Sequence, residues 1–256
     1  VVTVSGAILR TDRISKRWGR FAANDSISLS FPPGVRHAII GPNGAGKTTF
    51  VNLLTGQYPA SGGDVFLGGD RITHLPQHAR VKRGMTRTYQ VTTLFPGLTP
   101  LESLVLAICE RDGLAGTWSR TVASRRREQA EAESLLERLR LGREADTPTR
   151  HLAYGKQRLL EIALALATRP KILILDEPAS GVPTADSAEI FEVIASLPDD
   201  VTVVFVEHDM QLVFRFAQRI TVLVAGKVFA EGTPPEIAAD PRVREVYLGE
   251  GEAEDA

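Results

Sequence analysis

One cysteine, two methionines and two tryptophans occur in 256 residues, and aromatic residues make up 6% of the chain. The single thiol, Cys109, cannot close an internal bridge, so a disulfide framework is excluded and a reducing compartment is expected. Charge imbalance is equally scarce. Thirty Lys and Arg residues against 31 Asp and Glu leave a formal net charge of −1, which gives no electrostatic ground for a nucleic-acid partner. The Arg125-Arg126-Arg127 cluster accordingly reads as a solvated helix face. Long apolar runs are missing too: the longest are strand-sized and interrupted by charge, so no segment reads as a bilayer-crossing helix and none as a signal peptide. The chain begins at Val1 rather than methionine, which leaves a longer polypeptide open. At 43% apolar content it can bury one sizeable core, in one or two domains.

What is present is a sharply punctuated loop. Residues 41 to 49 read Gly-Pro-Asn-Gly-Ala-Gly-Lys-Thr-Thr, directly after the run Val35 to Ile40, which only Arg36 and His37 interrupt. Glycines at 41, 44 and 46, with Asn43 and Ala45 between them, let backbone N–H groups curl around phosphate oxygens; Lys47 then reaches the β/γ-phosphates and Thr48 a Mg²⁺ ion, with Thr49 beside it. The alternative is an ordinary glycine-rich turn.

A second feature narrows the chemistry. Lys171 to Leu175 form a short apolar strand that ends in Asp176 and Glu177. Strand C-termini line the ligand crevice in open α/β sheets, so Asp176 is expected to face the metal shell and Glu177 an attacking water; the alternative is a strand exit that is merely acidic.

Between these two lies Leu152-Ala153-Tyr154-Gly155-Lys156-Gln157-Arg158, running into the apolar-rich helical segment Leu159 to Ala167. In this order the three elements resemble ABC ATPases, where the middle one is the signature sequence. The resemblance implies that Ala153, Tyr154, Gly155, Lys156 and Gln157 cap a helix whose N-terminus faces the γ-phosphate bound by a partner subunit, as a helix dipole favours. It also implies roles for three further residues. Gln90, in Arg87-Thr88-Tyr89-Gln90, resembles the glutamine that touches Mg²⁺ and links the nucleotide site to the membrane partner; otherwise it is a loop amide. His208 resembles the switch histidine at the γ-phosphate; otherwise it neighbours a helix N-cap. Trp18 stands where the family stacks an aromatic ring on adenine, and reads almost equally well as a packed core ring. His37, His74, His78 and His151 have no ligand-like spacing.

The expected fold is α/β, a P-loop ABC-type nucleotide-binding fold with an antiparallel β subdomain and a helical subdomain. Alternating runs such as Ile27 to Phe31 and Asp64 to Leu67 read as antiparallel strands around the loop. Residues 93–157 read as the helical subdomain, with helices at Pro100 to Glu110 and Arg125 to Leu141. From Arg158 alternating helices and strands predict a largely parallel sheet, closed by a hairpin around Gly226-Lys227. Residues 1–249 form one domain in this reading, with 1–92 and 158–249 as the catalytic core; Glu250 to Ala256 form an acidic tail expected to be disordered.

A finer resemblance, to the ATPase of branched-chain amino acid importers, rests on Arg87 to Gln90 with Leu94-Phe95 and Leu98-Thr99, the Leu-Ala-Tyr-Gly signature, Glu207-His208-Asp209-Met210, and the ending from Gly232-Thr233-Pro234 to Glu250. It implies two ATPase subunits, identical or related, two permeases and an extracytoplasmic binding protein. Two residues depart from the wider pattern. Ala153 replaces the usual signature serine, and Pro183 stands where Asp or Asn is common, bringing neither a side-chain acceptor nor an N–H donor. Other readings are an ABC-type ATPase that gates a macromolecular interaction away from any membrane, and a low-activity subunit with an architectural role.

Overall fold

The computed structural model describes residues 6–88, 94–114 and 125–251. Two sheets organise them. In the first, β1 (Leu9–Trp18) lies between β2 (Phe21–Ile27) and β5 (Gly62–Leu67), with β3 (Ser30–Phe31) and β6 (Asp70–Arg71) alongside, all antiparallel. The expected strand Ile27 to Phe31 is divided. Thr11 takes the place of a ladder partner there, accepting the Leu29 N–H at its hydroxyl and donating its own N–H to the Leu29 carbonyl.

The second sheet has the order β11-β10-β4-β9-β8-β7 and comprises β4 (Arg36–Ile40), β7 (Met85–Arg87), β8 (Ile172–Asp176), β9 (Thr202–Val206), β10 (Arg219–Val224) and β11 (Lys227–Gly232). All its pairings are parallel except the β10–β11 hairpin. Its strands are apolar at successive positions because both faces are covered. Leu173, Leu175, Val203 and Phe205 enter one core, shared with the helices; Ile172, Ile174, Val204 and Val206 enter the other, shared with the antiparallel sheet.

The two polar residues of β4 are buried with it. The Arg36 guanidinium donates to the carbonyls of Gly34, Leu197, Val201 and Pro198 at the foot of the sheet. His37 shares a 2.7 Å hydrogen bond with the Thr221 hydroxyl on β10, and burial lowers its pKa to about 3.

Helices α1 (Lys47–Thr55) and α2 (Gln77–Val81) precede β7. Helix α3 (Pro100–Arg111) starts from a capping box, Thr99 accepting the Glu102 N–H while Glu102 accepts that of Thr99, with Pro100 in the first turn. Helix α4 (Arg126–Arg138) ends before the expected Leu141, because Arg140 takes the left-handed region at φ 58°. Helices α5 (Tyr154–Ala167), α6 (Thr184–Ala195), α7 (Met210–Phe216), α8 (Pro234–Ala239) and α9 (Pro241–Gly251) complete the chain. Glu250 and Gly251, expected to begin a disordered tail, belong to α9; the remainder of that tail lies outside the described residues. Among the described residues no helix is long and apolar enough to cross a membrane.

Candidate functional site

The glycine loop leaves the C-terminal end of β4. Gly41 has φ 151°, and a Cβ there would stand 2.1 Å from the Leu223 carbonyl oxygen; at Gly46, φ 94°, it would stand 2.4 Å from that of Ala23. Neither position admits a side chain. Asn43 and Gly44 are exposed at the rim, while buried Ala45 gives its N–H to the Pro42 carbonyl (3.1 Å) and accepts from the Gly226 N–H (3.0 Å). Asn24 of β2 donates to the Gly46 carbonyl at 3.1 Å, tying the antiparallel sheet to the loop. Helix α1 begins at once, so its first turn directs backbone N–H groups into the loop. The Lys47 ammonium bends over it, donating to the carbonyls of Gly41 (2.5 Å) and Pro42 (3.0 Å); Thr48 is exposed beside it and Thr49 half-buried.

Register brings the other groups to the same edge. Val206 of β9 pairs with Asp176 of β8 on one side and Ile39 of β4 on the other. Gly41, Asp176-Glu177 and Glu207-His208 therefore leave three adjacent strands, spaced about 4.8 Å apart. This is the crevice at strand C-termini where α/β sheets bind ligands.

Asp176 is buried and paired. Its Oδ2 accepts from Arg87 at 2.6 Å, and Arg87, at the end of β7, also donates to the side-chain oxygens of Asn52 (2.5 Å) and Gln57 (3.1 Å) near the end of α1. Asp176 Oδ1 is buried without a hydrogen-bond partner. An acceptor left open in this way fits a metal-bound water, and Mg²⁺ needs only one or two carboxylates together with phosphate and water oxygens. Among the described residues no three acidic, His or Cys side chains converge into a metal cluster of their own. Glu177 gives its N–H to the Val206 carbonyl (3.0 Å) and adopts φ 50°, a left-handed conformation costing roughly 1–2 kcal/mol outside glycine. His208 is exposed, and the buried carboxyl of Glu207 precedes it.

Trp18 is not a core ring. It is 51% exposed at the end of β1, edge-on to Tyr58 with centroids 5.4 Å apart, and the Lys16 ammonium stands 4.2 Å over its ring. Tyr58 follows α1 (Lys47–Thr55), while Lys16 pairs with Asn24, the residue tied to the Gly46 carbonyl.

The signature residues form the first turn of α5, with Ala153 as a cap that brings no side-chain bond. Tyr154 is half-exposed; its hydroxyl accepts from Arg158 (2.6 Å) and donates to the Ser180 carbonyl (3.4 Å), and its ring lies beside Gly181. Gly155 is buried against Asp186. Lys156 pairs with Glu189 (3.0 Å) and donates to the Arg140 carbonyl, and Gln157 donates to the Leu152 carbonyl. These two long side chains serve their own subunit. Pro183 caps α6 through its carbonyl, which accepts from the N–H groups of Asp186 and Ser187. Gln90 lies outside the described residues.

Three residues that the sequence reading gave no role belong to this edge: Asn24, Arg87 and Glu207. Arg87 and Glu207 interrupt or end apolar strands, a signal that a polar partner waits in the interior.

Comparison with known proteins agrees with this geometry. The family model described as ABC transporter matches residues 24–180, and one described as branched-chain amino acid ATP-binding cassette transporter matches residues 227–253. The chain is 39% identical over 255 residues to the high-affinity branched-chain amino acid transport ATP-binding protein BraF of Pseudomonas aeruginosa, covering 96% of this chain and 100% of that one. It is 38% identical over 257 residues to the corresponding protein LivG of Escherichia coli K12, with the same coverage. Among solved structures, the ADP conformation of MJ1267, an ATP-binding cassette of an ABC transporter, superimposes with a TM-score of 0.83 at 31% identity, covering 96% of this chain and 100% of that one.

Proposed function

Because the chain belongs to the ABC transporter family as an ATP-binding ATPase, we propose that it powers an importer of branched-chain amino acids by ATP-driven closure of two such subunits. The observation that carries the reading is the convergence of the glycine loop, Asp176-Glu177 and His208 at one edge of the parallel sheet. Matches to branched-chain amino acid transport proteins over nearly the whole chain support the substrate class.

Each residue then has a task. The 43–49 backbone and the Lys47 ammonium cradle the β/γ-phosphates. Thr48, Gln90 and the open oxygen of Asp176 would hold Mg²⁺, which when bound supplies charge neutralisation on the phosphates. Glu177 orients the attacking water, His208 steadies the γ-phosphate, and Trp18 offers an indole face to the base. The α5 N-terminus at Ala153 to Gly155 completes the site of a facing subunit, through its backbone N–H groups in place of a serine hydroxyl. Residues 1–249 work as one catalytic domain. The partners are a second ATPase subunit, two membrane permeases and an extracytoplasmic binding protein, and the permeases hold the chain at the inner face of the membrane.

The test is uptake of labelled leucine, isoleucine and valine by cells carrying the permeases with either the native chain or its Lys47→Ala variant. Uptake is expected with the native chain alone; uptake unchanged by the substitution would contradict the reading.

A further inference from the structure

The buried carboxyl of Glu207 is used by none of the roles above. It is 2% exposed and lies between two loops that carry reacting groups. One oxygen accepts the N–H of Ala179 at 3.0 Å, two residues past Glu177; the other accepts the N–H of His208 at 3.2 Å. Burial pushes this carboxyl above the usual glutamate range; the N–H donors of Ala179 and His208 and the His208 ring pull against that, and the Glu177 charge adds to it.

The loop that Glu207 holds is also tied to β9 at its start, where Glu177 gives its N–H to the Val206 carbonyl at 3.0 Å. Within itself it is a chain of turns: Ser180 N–H to the Glu177 carbonyl, Val182 N–H to that of Ala179, then the α6 cap at Pro183. On its far side the Tyr154 hydroxyl reaches the Ser180 carbonyl. Pro183 brings no side-chain acceptor to this loop, and the Glu207 carboxylate supplies one from the neighbouring strand. Glu207 also stands in the wall of a cavity of about 250 Å³ that Ser180, Val182, Asp209 and Leu212 help to line, so the loop has room to shift if the tie is released.

We infer that Glu207 is a positioning residue: its carboxylate clamps the 177–183 loop to the His208 segment, so that the water-orienting carboxylate and the γ-phosphate histidine keep one fixed spacing. The inference rests on the ATPase reading. A buried charge with two backbone donors holds geometry at a cost in stability, since the ionised form is disfavoured by burial above its raised pKa. Loop exchange and the split between KM and kcat separate a positioning role from a structural one.

The experiment uses the full chain assembled with its permeases, as the native protein, as Glu207→Gln and as Glu207→Asp. Glutamine keeps the length but accepts at one atom only; aspartate keeps the charge but falls a methylene short. Both variants are expected to hold KM for ATP within about twofold of native while kcat falls at least about tenfold. Amide hydrogen exchange in the peptide spanning 177–183 is expected to accelerate in both variants, since each leaves a backbone N–H without its acceptor. If the native complex hydrolyses ATP and both variants keep kcat within twofold, the clamp is refuted. A fall in kcat with exchange across 177–183 unchanged would show that the carboxylate does not hold that loop and would also refute the clamp. A native complex without Lys47-dependent ATPase activity would instead refute the ATPase reading beneath it.

Discussion

At the scale of single residues the site depends on polar groups whose partners come from elsewhere in the chain. Arg87 and Asp176 are 89 positions apart, and their 2.6 Å pair is buried on both sides. Removing the cation leaves a buried carboxylate uncompensated, a change that costs about 3–5 kcal/mol. Arg87→Met is therefore expected to lower the free energy of unfolding by about 3 kcal/mol in urea titration. Adding Asp176→Asn should recover much of that loss; equal losses in the single and double variants would show that the pair is not the cause. The reach of sequence reasoning is visible in the same residues. The places of Lys47 and Thr48 after the glycine loop and of Asp176 and Glu177 at a strand end were legible because such loops and strand ends are local patterns. Arg87 and Glu207 were present in the quoted motifs, yet their tasks depend on which strands become neighbours, and no short spacing encodes that. Trp18 was singled out only by resemblance, as a base-stacking aromatic or a packed core ring; its place at the end of β1 and its exposure were not legible.

Among the elements, β4 shows how a strand can carry charge into a core. Its Arg36 is held by backbone carbonyls and its His37 by Thr221, so a run that looked interrupted is buried throughout. The periodic patterns of the parallel strands and of α3 were readable for the same reason that they fold: burial on two faces for the strands, one stripe and a capping box for the helix. The division between β2 and β3 and the early end of α4 were not, since they turn on a hydroxyl bond and a left-handed arginine. Burial of His37, with Arg219 nearby, also makes β4 acid-sensitive. Its folded pKa, about 3, lies below the ordinary 6.5, so the unfolded chain takes up the proton first. Stability from this residue is complete above about pH 6.5 and is lost as pH falls toward 3, at up to about 1.4 kcal/mol per pH unit. Replacing His37 by Gln, which can keep a bond to Thr221, should flatten the decline in unfolding free energy between pH 6 and 4. An unchanged slope would place the acid sensitivity in other groups.

For the whole molecule, the division of the chain determines what one copy can do. The phosphate loop, Asp176-Glu177 and His208 meet at the edge of one sheet, whereas the signature turn of α5 packs beside the 177–183 loop of its own subunit, with Tyr154 on Ser180 and Gly155 against Asp186. In the proposed function, a phosphate held on Lys47 would be completed by the α5 N-terminus of a second copy or a close relative. The most direct measurement is light scattering together with nucleotide retention on Glu177→Gln mixed with Mg-ATP. The variant is expected to bind ATP as the native chain does, to hydrolyse it at least about a hundredfold more slowly, and to accumulate as a dimer with two trapped ATP molecules. Native turnover by Glu177→Gln, or a monomer that retains ATP without pairing, would contradict the account.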